Sequence, residues 1–117
     1  LLQLVPHIQS SRLRLLAVGS AKRNSAFPNT PTVAETVPGY EANNWWGILA
    51  PAGVTPAMVR TLEAAVEKVV KTPEMQKKFD TQGAEVLYMN SVTYGKFIKA
   101  ETTKWSKVVR DAGIKAE

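Results

Sequence analysis

Cysteine is absent from this 117-residue chain, and histidine occurs once, at His7. Without cysteine there is no disulfide, no thiolate nucleophile and no cysteine metal site. A single histidine excludes a multi-histidine metal site, and no serine–aspartate constellation surrounds it in the sequence. No apolar run approaches the roughly 18 residues that span a bilayer, because Gly47 and Pro51 interrupt the longest. The sequence therefore predicts no catalytic residue, no metal ligand and no cofactor.

Phosphate-binding glycine loops are also missing, since neither GxxxxGK[ST] nor GxGxxG occurs in the sequence. Most of the ten carboxylates fall on predicted polar helix faces, where solvation and pairing at i,i+4 are the ordinary roles. Glu101 is different because it lies on an apolar helix stripe, so we expect it to be partly buried and paired. No two carboxylates are predicted to converge as a general acid and base. We therefore expect a protein that is not an enzyme.

The net charge is basic, with 15 Lys and Arg against 10 Asp and Glu and a formal charge of +5. Such a balance makes nucleic acid, anionic lipid or an anionic ligand worth weighing as a partner. The cations are scattered, however, and no aromatic interleaving or nucleic-acid motif accompanies them. We expect a solvated basic surface and no nucleic-acid binding. A small basic interaction domain for nucleic acid or an acidic partner is the alternative.

Short apolar runs with turn signals on both sides predict three strands. They are 13–18 (LRLLAV), 44–50 (NWWGILA) and 85–89 (EVLYM). Helices are predicted by apolar spacing of three and four residues, by threonine or serine caps, and by proline at the first helical position. They cover the end of a helix at 1–9, a turn at 32–36 capped by Thr30, and helices from Pro56 to about Lys71, from Pro73 to Gly83, and from a Ser91 cap to Gly113. The order of elements is that of an α/β protein.

The adjacent tryptophans Trp45 and Trp46 are the most unusual local feature. On a strand their side chains must point to opposite faces. One of them then fills a core while the other faces a cleft or an interface. Both are equally well explained as structural residues. The alternative is that one lines a ligand pocket, because aromatic side chains commonly form pocket walls, with Asn43 and Asn44 as neighbouring polar groups.

Several segments together resemble the Bug-type extracytoplasmic solute receptors of tripartite tricarboxylate transporters. The first is 16–35, with the pattern L-A-V-x-S-x-x-R followed by P-x-x-P-T-x-x-E. The second is 38–56, PGYEANNWWGILAPAGVTP, and the last helix with its final glycine is similar as well. The chain departs from the family pattern at Gly19, where threonine is common, and at Val54-Thr55-Pro56, which is one residue longer than the usual G-T-P.

The resemblance implies an α/β chain that is the C-terminal part of a two-domain periplasmic-binding-protein fold. Residues 1–40 would end the second domain, and residues 41–117 would return to the first. The implied function is binding of a small carboxylate, a di- or tricarboxylate or an amino acid, in the periplasm and its delivery to membrane transporter subunits. We expect Thr30 or Thr32 to donate a hydrogen bond to the ligand. We expect Trp45 or Trp46 to form a wall of the ligand pocket. A chain with half of the cleft should bind carboxylates weakly, and it should form homo-oligomers or be marginally stable.

Overall fold

Four α-helices and one 3₁₀ turn make up the regular structure in the computed structural model, which describes residues 3–115. In chain order they are α1 (Val5–Gln9), the 3₁₀ turn (Val33–Glu35), α2 (Pro56–Val70), α3 (Pro73–Thr81) and α4 (Ser91–Asp111). Each of the helices predicted from the sequence is present. Leu1 and Leu2 of the predicted first helix lie outside the described residues.

The starts of α2 and α3 confirm the threonine–proline prediction. Thr55 Oγ1 accepts a hydrogen bond from the Met58 backbone N–H at 3.3 Å, and Thr72 Oγ1 accepts one from Met75 at 3.4 Å. Proline follows each cap because the backbone N–H that proline lacks would have no hydrogen-bond acceptor in the first turn of a helix. Glycine ends α3 as predicted, since Gly83 adopts a φ of 69° that residues with a Cβ rarely take.

Two predicted caps were wrong, each by one or two residues. The 3₁₀ turn is capped by Thr32 and not by Thr30, because the spacing Thr32-x-x-Glu35 forms a reciprocal capping box. The last helix is capped by Asn90, whose Oδ1 accepts from the Thr93 N–H at 2.9 Å. Ser91 is the first helical residue instead, and its backbone N–H donates to Glu63.

The three predicted strands do not form a sheet among residues 3–115. One isolated parallel bridge, between Val18 and Thr32, is the β-pairing in this part of the chain. Residues 44–50 and 85–89 run without helix, turn or bend, and their backbone groups have no backbone hydrogen-bond partner among the described residues. A strand requires a neighbour to complete its ladder. The prediction of three strands was therefore wrong for residues 3–115, because apart from the bridge at Val18 the three segments have no paired neighbour there.

The fold is open. Its radius of gyration is 17.1 Å, whereas a compact chain of this length has a value of about 13 Å. Val5 and Val18 are the hydrophobic side chains that are buried among the described residues. Large apolar side chains are exposed along the extended segments, including Leu16, Trp46, Ile48, Leu49 and Leu87. The helices consequently pack on only part of the apolar surface that the sequence supplies.

Candidate functional site

A loop from residue 19 to 40 carries two of the four predicted ligand residues, and an ion pair closes it. Arg23 Nε donates to Glu35 Oε1 at 2.8 Å, and Arg23 Nη2 donates to Glu35 Oε2 at 2.7 Å. The same guanidinium reaches the Pro28 carbonyl oxygen at 3.3 Å through Nη1. Two parallel bonds between a guanidinium and a carboxylate fix their relative orientation as well as their distance. The ion pair thus ties the beginning of the loop to its 3₁₀ turn.

The loop keeps Glu35 ionised. The Arg23 hydrogen bond and, after it, the Thr32 backbone N–H lower the pKa of the Glu35 carboxyl to about 2. Glu35 in turn raises the pKa of the Arg23 guanidinium, first through the hydrogen bond and then through its charge. Both groups are therefore charged at neutral pH and engaged with each other. This arginine is committed to the loop rather than to an anionic ligand.

Thr32 lies at the centre of this loop and is only 3% exposed. Its Oγ1 accepts from the Glu35 backbone N–H at 3.2 Å, and its own N–H donates to Glu35 Oε1 at 3.0 Å. On either side, the Val18 N–H donates to the Pro31 carbonyl and the Val33 N–H donates to the Val18 carbonyl, both at 3.0 Å. Burial and these bonds make Thr32 a residue that holds the loop in place.

Thr30 has a different environment, because it is half-buried beside an open cavity of about 500 Å³. Most of its wall is apolar and consists of Ile8, Leu13, Leu15 and Phe27. The hydroxyl groups of Ser11 and Thr30 and the guanidinium group of Arg14 complete the wall. Arg14 takes part in none of the ion pairs found within residues 3–115. A cation and two hydroxyls against apolar walls match the chemistry of a small carboxylate. Sequence reasoning missed Arg14 because its position between two leucines gave no indication of a polar site.

Trp45 and Trp46 lie in different surroundings, as expected for neighbours on an extended segment. The Trp45 ring packs edge-on against Tyr94 and Phe97 of α4, with ring centroids 6.0 and 5.1 Å apart. Gly47 faces the same side, since a Cβ at this position would overlap the Tyr94 hydroxyl and ring. Trp45 is 39% exposed and Trp46 68% exposed. Trp45 thus packs the segment against α4, whereas the side chain of Trp46 is exposed.

Glu101 is partly buried and paired on α4, as its position on the apolar stripe predicts. Its side chain is 14% exposed and pairs with Lys104 Nζ at 3.2 Å. Trp105 Nε1 donates to Glu101 Oε2 at 2.9 Å. This indole hydrogen bond is the main cause of a lowered Glu101 pKa, with smaller contributions from Lys104 and from the Trp45 side chain. The carboxylate therefore serves the packing of α4 against the segment that carries Trp45.

Hydrogen bonds or aromatic contacts between the two threonines and the two tryptophans are absent from residues 3–115. Two hydrogen bonds link residues 1–40 to the rest of the described chain. The Ala42 N–H donates to the Gly19 carbonyl at 2.9 Å, and Asn24 Nδ2 donates to the Gly83 carbonyl at 3.0 Å. Gly19 allows the first crossing, because a Cβ there would lie 2.5 Å from the Ala42 carbonyl oxygen. Sequence reasoning missed Asn24, whose partner is 59 positions away.

Groups of three or more His, Asp or Glu side chains able to hold a metal ion are absent from the described part of the chain. Within those same residues no helix combines the length and apolar character needed to cross a membrane. Four further ion pairs join neighbours along a helix: three lie within α3 and α4, at Lys78, Lys104 and Lys107, and Lys71, the C-cap of α2, pairs with Glu67. These lysines are neutralised in part by carboxylates of their own helix, which breaks up the basic surface.

A family model described as the tripartite tricarboxylate transporter family receptor, TctC, matches residues 1–114. The chain belongs to this family. Protein BugT of Bordetella pertussis is 33% identical over 110 residues, which are 93% of this chain and 34% of BugT. A protein encoded in the gbd 5′ region of Cupriavidus necator is 34% identical over 104 residues, covering 89% of this chain and 32% of its own length. The chain therefore spans about a third of the length of these relatives.

Two solved structures share the fold. The structure of R. palustris Rpa4515 with adipate superposes with a TM-score of 0.87 and 32% identity, over 97% of this chain and 38% of that one. The periplasmic binding protein BugD gives a TM-score of 0.85 and 27% identity, over 97% of this chain and 39% of its own. The described residues thus have the α/β fold of one part of a periplasmic binding protein. The family is one of transport receptors and not of enzymes.

Proposed function

We propose that this chain belongs to a periplasmic receptor that binds a small carboxylate, a di- or tricarboxylate or an amino acid, and delivers it to the membrane subunits of a tripartite tricarboxylate transporter. The observation that carries the proposal is the family match over residues 1–114. Similarity to Rpa4515, whose structure contains adipate, supports a carboxylate as the ligand class.

The cavity beside Thr30 adds a local argument. A receptor for a dicarboxylate needs a cation or hydrogen-bond donors for each carboxylate and apolar walls for the carbons between them. Arg14, Ser11 and Thr30 supply one such group of donors, and Phe27 and Leu15 supply apolar wall. We place Thr30 in contact with the ligand and assign Thr32 to the loop behind it. Trp46, which is exposed, is better placed than Trp45 to form a wall.

The proposal divides the receptor into two domains, with residues 1–40 in the second and residues 41–117 in the first. The pattern of hydrogen bonds supports a boundary here. Within the described chain the two parts share one backbone bond, between Gly19 and Ala42, and one side-chain bond, from Asn24 to Gly83. Few bonds across a boundary are what a hinge between domains requires.

The test is a chimera in which this chain replaces the matched part of Rpa4515. Calorimetric titration with mono-, di- and tricarboxylates and amino acids should give saturable binding of at least one of them. Arg14→Gln should weaken that binding by about tenfold or more, because it removes a charge-assisted hydrogen bond. Arg12→Gln is the matched control, since this exposed arginine is two positions away and does not line the cavity. A folded chimera that binds none of these compounds would overturn the proposal.

A further inference from the structure

Ser11, in the turn that follows α1, has an unusual backbone conformation. Its φ is 58°, and among residues 3–115 it is the one residue other than glycine with a positive φ. In this left-handed region the Cβ of an L-residue approaches the following carbonyl oxygen too closely, whereas glycine has no Cβ and meets no such clash. A serine at this position therefore strains the folded chain where a glycine would not.

Local hydrogen bonds do not explain why serine occupies this turn. The Ser11 N–H donates to the Ile8 carbonyl at 3.0 Å, a bond that glycine would form equally well. Ser10 Oγ donates to the His7 carbonyl at 3.3 Å, but the Ser11 hydroxyl has no hydrogen-bond partner among the described residues. Backbone strain that no local bond offsets is concentrated at functional sites. The hydroxyl of Ser11 is therefore a candidate for contact with a ligand.

The Ser11 side chain lines the same open cavity as Arg14 and Thr30. The side-chain hydrogen bonds and ion pairs within residues 3–115 engage none of these three donors. A carboxylate can accept from a guanidinium and from hydroxyl groups at the same time, because its oxygens provide about four acceptor sites. One carboxylate group of a ligand would therefore engage donors that have no partner in the described chain.

Apart from these three donors, the wall of the cavity is hydrocarbon. The remaining lining residues found in the described chain are Ile8, Leu13, Leu15 and Phe27. This set contains no acidic residue, so it offers an ammonium group no carboxylate partner. A second carboxylate against the apolar wall would lose hydration without gaining a donor. The lining therefore suits a carboxylate that continues into a hydrocarbon chain, and it fits an unbranched dicarboxylate better than a tricarboxylate or an amino acid.

We propose that this cavity holds one end of an unbranched dicarboxylate. Arg14 and Ser11 bind its carboxylate group, and the adjoining carbons lie against Phe27. Ser11 is retained in a strained backbone because its hydroxyl determines this specificity. The proposal rests on the carboxylate binding proposed above and narrows its ligand class, so its test separates the choice of ligand from the existence of binding.

Selectivity is tested in the Rpa4515 chimera with two ligands of equal length, adipate and 2-aminoadipate, which differ by one ammonium group. Calorimetric titration should show adipate bound more tightly, by about tenfold or more. Ser11→Asp, which a left-handed turn tolerates, should weaken adipate binding by about tenfold or more and 2-aminoadipate binding by less, because the new carboxylate repels the ligand carboxylate and attracts the ammonium. Ser10→Asp is the matched control. It adds the same charge at an exposed residue outside the cavity lining and should leave the ratio of the two affinities unchanged.

A second variant tests the strain at Ser11. Ser11→Gly should leave the melting temperature of the chain unchanged or raise it, because glycine relieves the left-handed turn. It should weaken adipate binding by the chimera by about fivefold or more, because the hydroxyl is lost. Ser10→Gly removes the neighbouring hydroxyl and should leave adipate binding unchanged.

The possible failures are distinguishable. Undiminished adipate binding or a lower melting temperature in Ser11→Gly would overturn this inference while the proposed function stands. Equal losses for both ligands in Ser11→Asp, or tighter binding of 2-aminoadipate than of adipate by the unmodified chimera, would do the same. A folded chimera that binds no carboxylate would overturn both.

Discussion

The Arg23 guanidinium and the Glu35 carboxylate form two parallel hydrogen bonds, of 2.8 and 2.7 Å, across a loop of 11 intervening residues. Both residues belong to the pattern that carries the family resemblance, R followed by P-x-x-P-T-x-x-E. The structure explains this pattern physically. Thr32 caps the 3₁₀ turn, and Glu35, the last residue of that turn, completes the capping box. The arginine then fixes that glutamate from the other end of the loop.

Acid should weaken this loop in a defined pH range. The Glu35 pKa is lowered to about 2 in the folded chain, so the unfolded chain binds the proton more readily. The stabilisation is fully present above the ordinary carboxyl pKa of about 4.3 and is lost as the pH falls towards 2. Glu35→Gln should therefore lower the melting temperature at pH 7 and make little difference at pH 2. Glu85→Gln, at an exposed carboxylate outside the ion pairs of the described chain, should show no such convergence.

Thr32 and Thr30 should separate into a structural and a ligand-contacting residue. Thr32→Ala should cost about 1 kcal/mol of stability, because it removes the cap of the 3₁₀ turn. Thr32→Ser keeps the hydroxyl and should recover most of that loss. Thr30→Ala should leave stability nearly unchanged and weaken carboxylate binding by the Rpa4515 chimera. Urea unfolding and calorimetry measure the two effects, and equal loss of stability in both alanine variants would contradict the assignment.

The helices were predictable from sequence because their signals are local. A threonine before a proline, or a glycine after an apolar stripe, determines a helix end within a few residues. Thr32 shows the limit of this reasoning: the capping-box spacing to Glu35 was present, but the proline after Thr30 favoured the wrong cap. The partly buried position of Glu101 was predictable for the same reason, since the apolar periodicity of α4 includes it.

Strands and long-range contacts were not predictable, because they depend on residues that are far apart in the sequence. The apolar run at 44–50 correctly indicated a segment with two unlike faces, but pairing requires neighbours that the described residues do not supply. The bond from Asn24 to Gly83 joins positions 59 apart and has no sequence signature. The same applies to the position of Arg14 at the cavity, which follows from how the chain turns around it.

Gly47 should be intolerant of even one methyl group. A Cβ at this position would overlap the Tyr94 side chain, so Gly47→Ala should cost about 1–3 kcal/mol by overpacking. Gly95→Ala is the matched control, because a Cβ there meets nothing within 4 Å and the residue lies inside α4. The control should stabilise the chain by about 0.5–1 kcal/mol through helix propensity. Urea unfolding followed by tryptophan fluorescence distinguishes the two, and equal effects would refute the packing of 44–50 on α4.

The chain alone should bind carboxylates weakly or not at all. The cavity beside Thr30 is open, and its polar lining consists of Ser11, Arg14 and Thr30. A cleft between two domains gains its affinity by enclosing the ligand from both. Titration of the chain with adipate, citrate and glutamate should therefore give no saturation below the millimolar range. Micromolar binding without the remaining part of a receptor would show that the site lies entirely within these residues.

In the absence of a receptor partner, the chain should associate with itself in a concentration-dependent manner. The backbone groups of 44–50 and the exposed Trp46 and Ile48 side chains would then be covered imperfectly by another copy. Light scattering after size-exclusion chromatography should show a mean mass that rises with loading concentration. Trp46→Lys with Ile48→Lys should shift the chain towards monomer, because two added cations repel across such a contact. A monomer that is stable at high concentration would contradict this prediction.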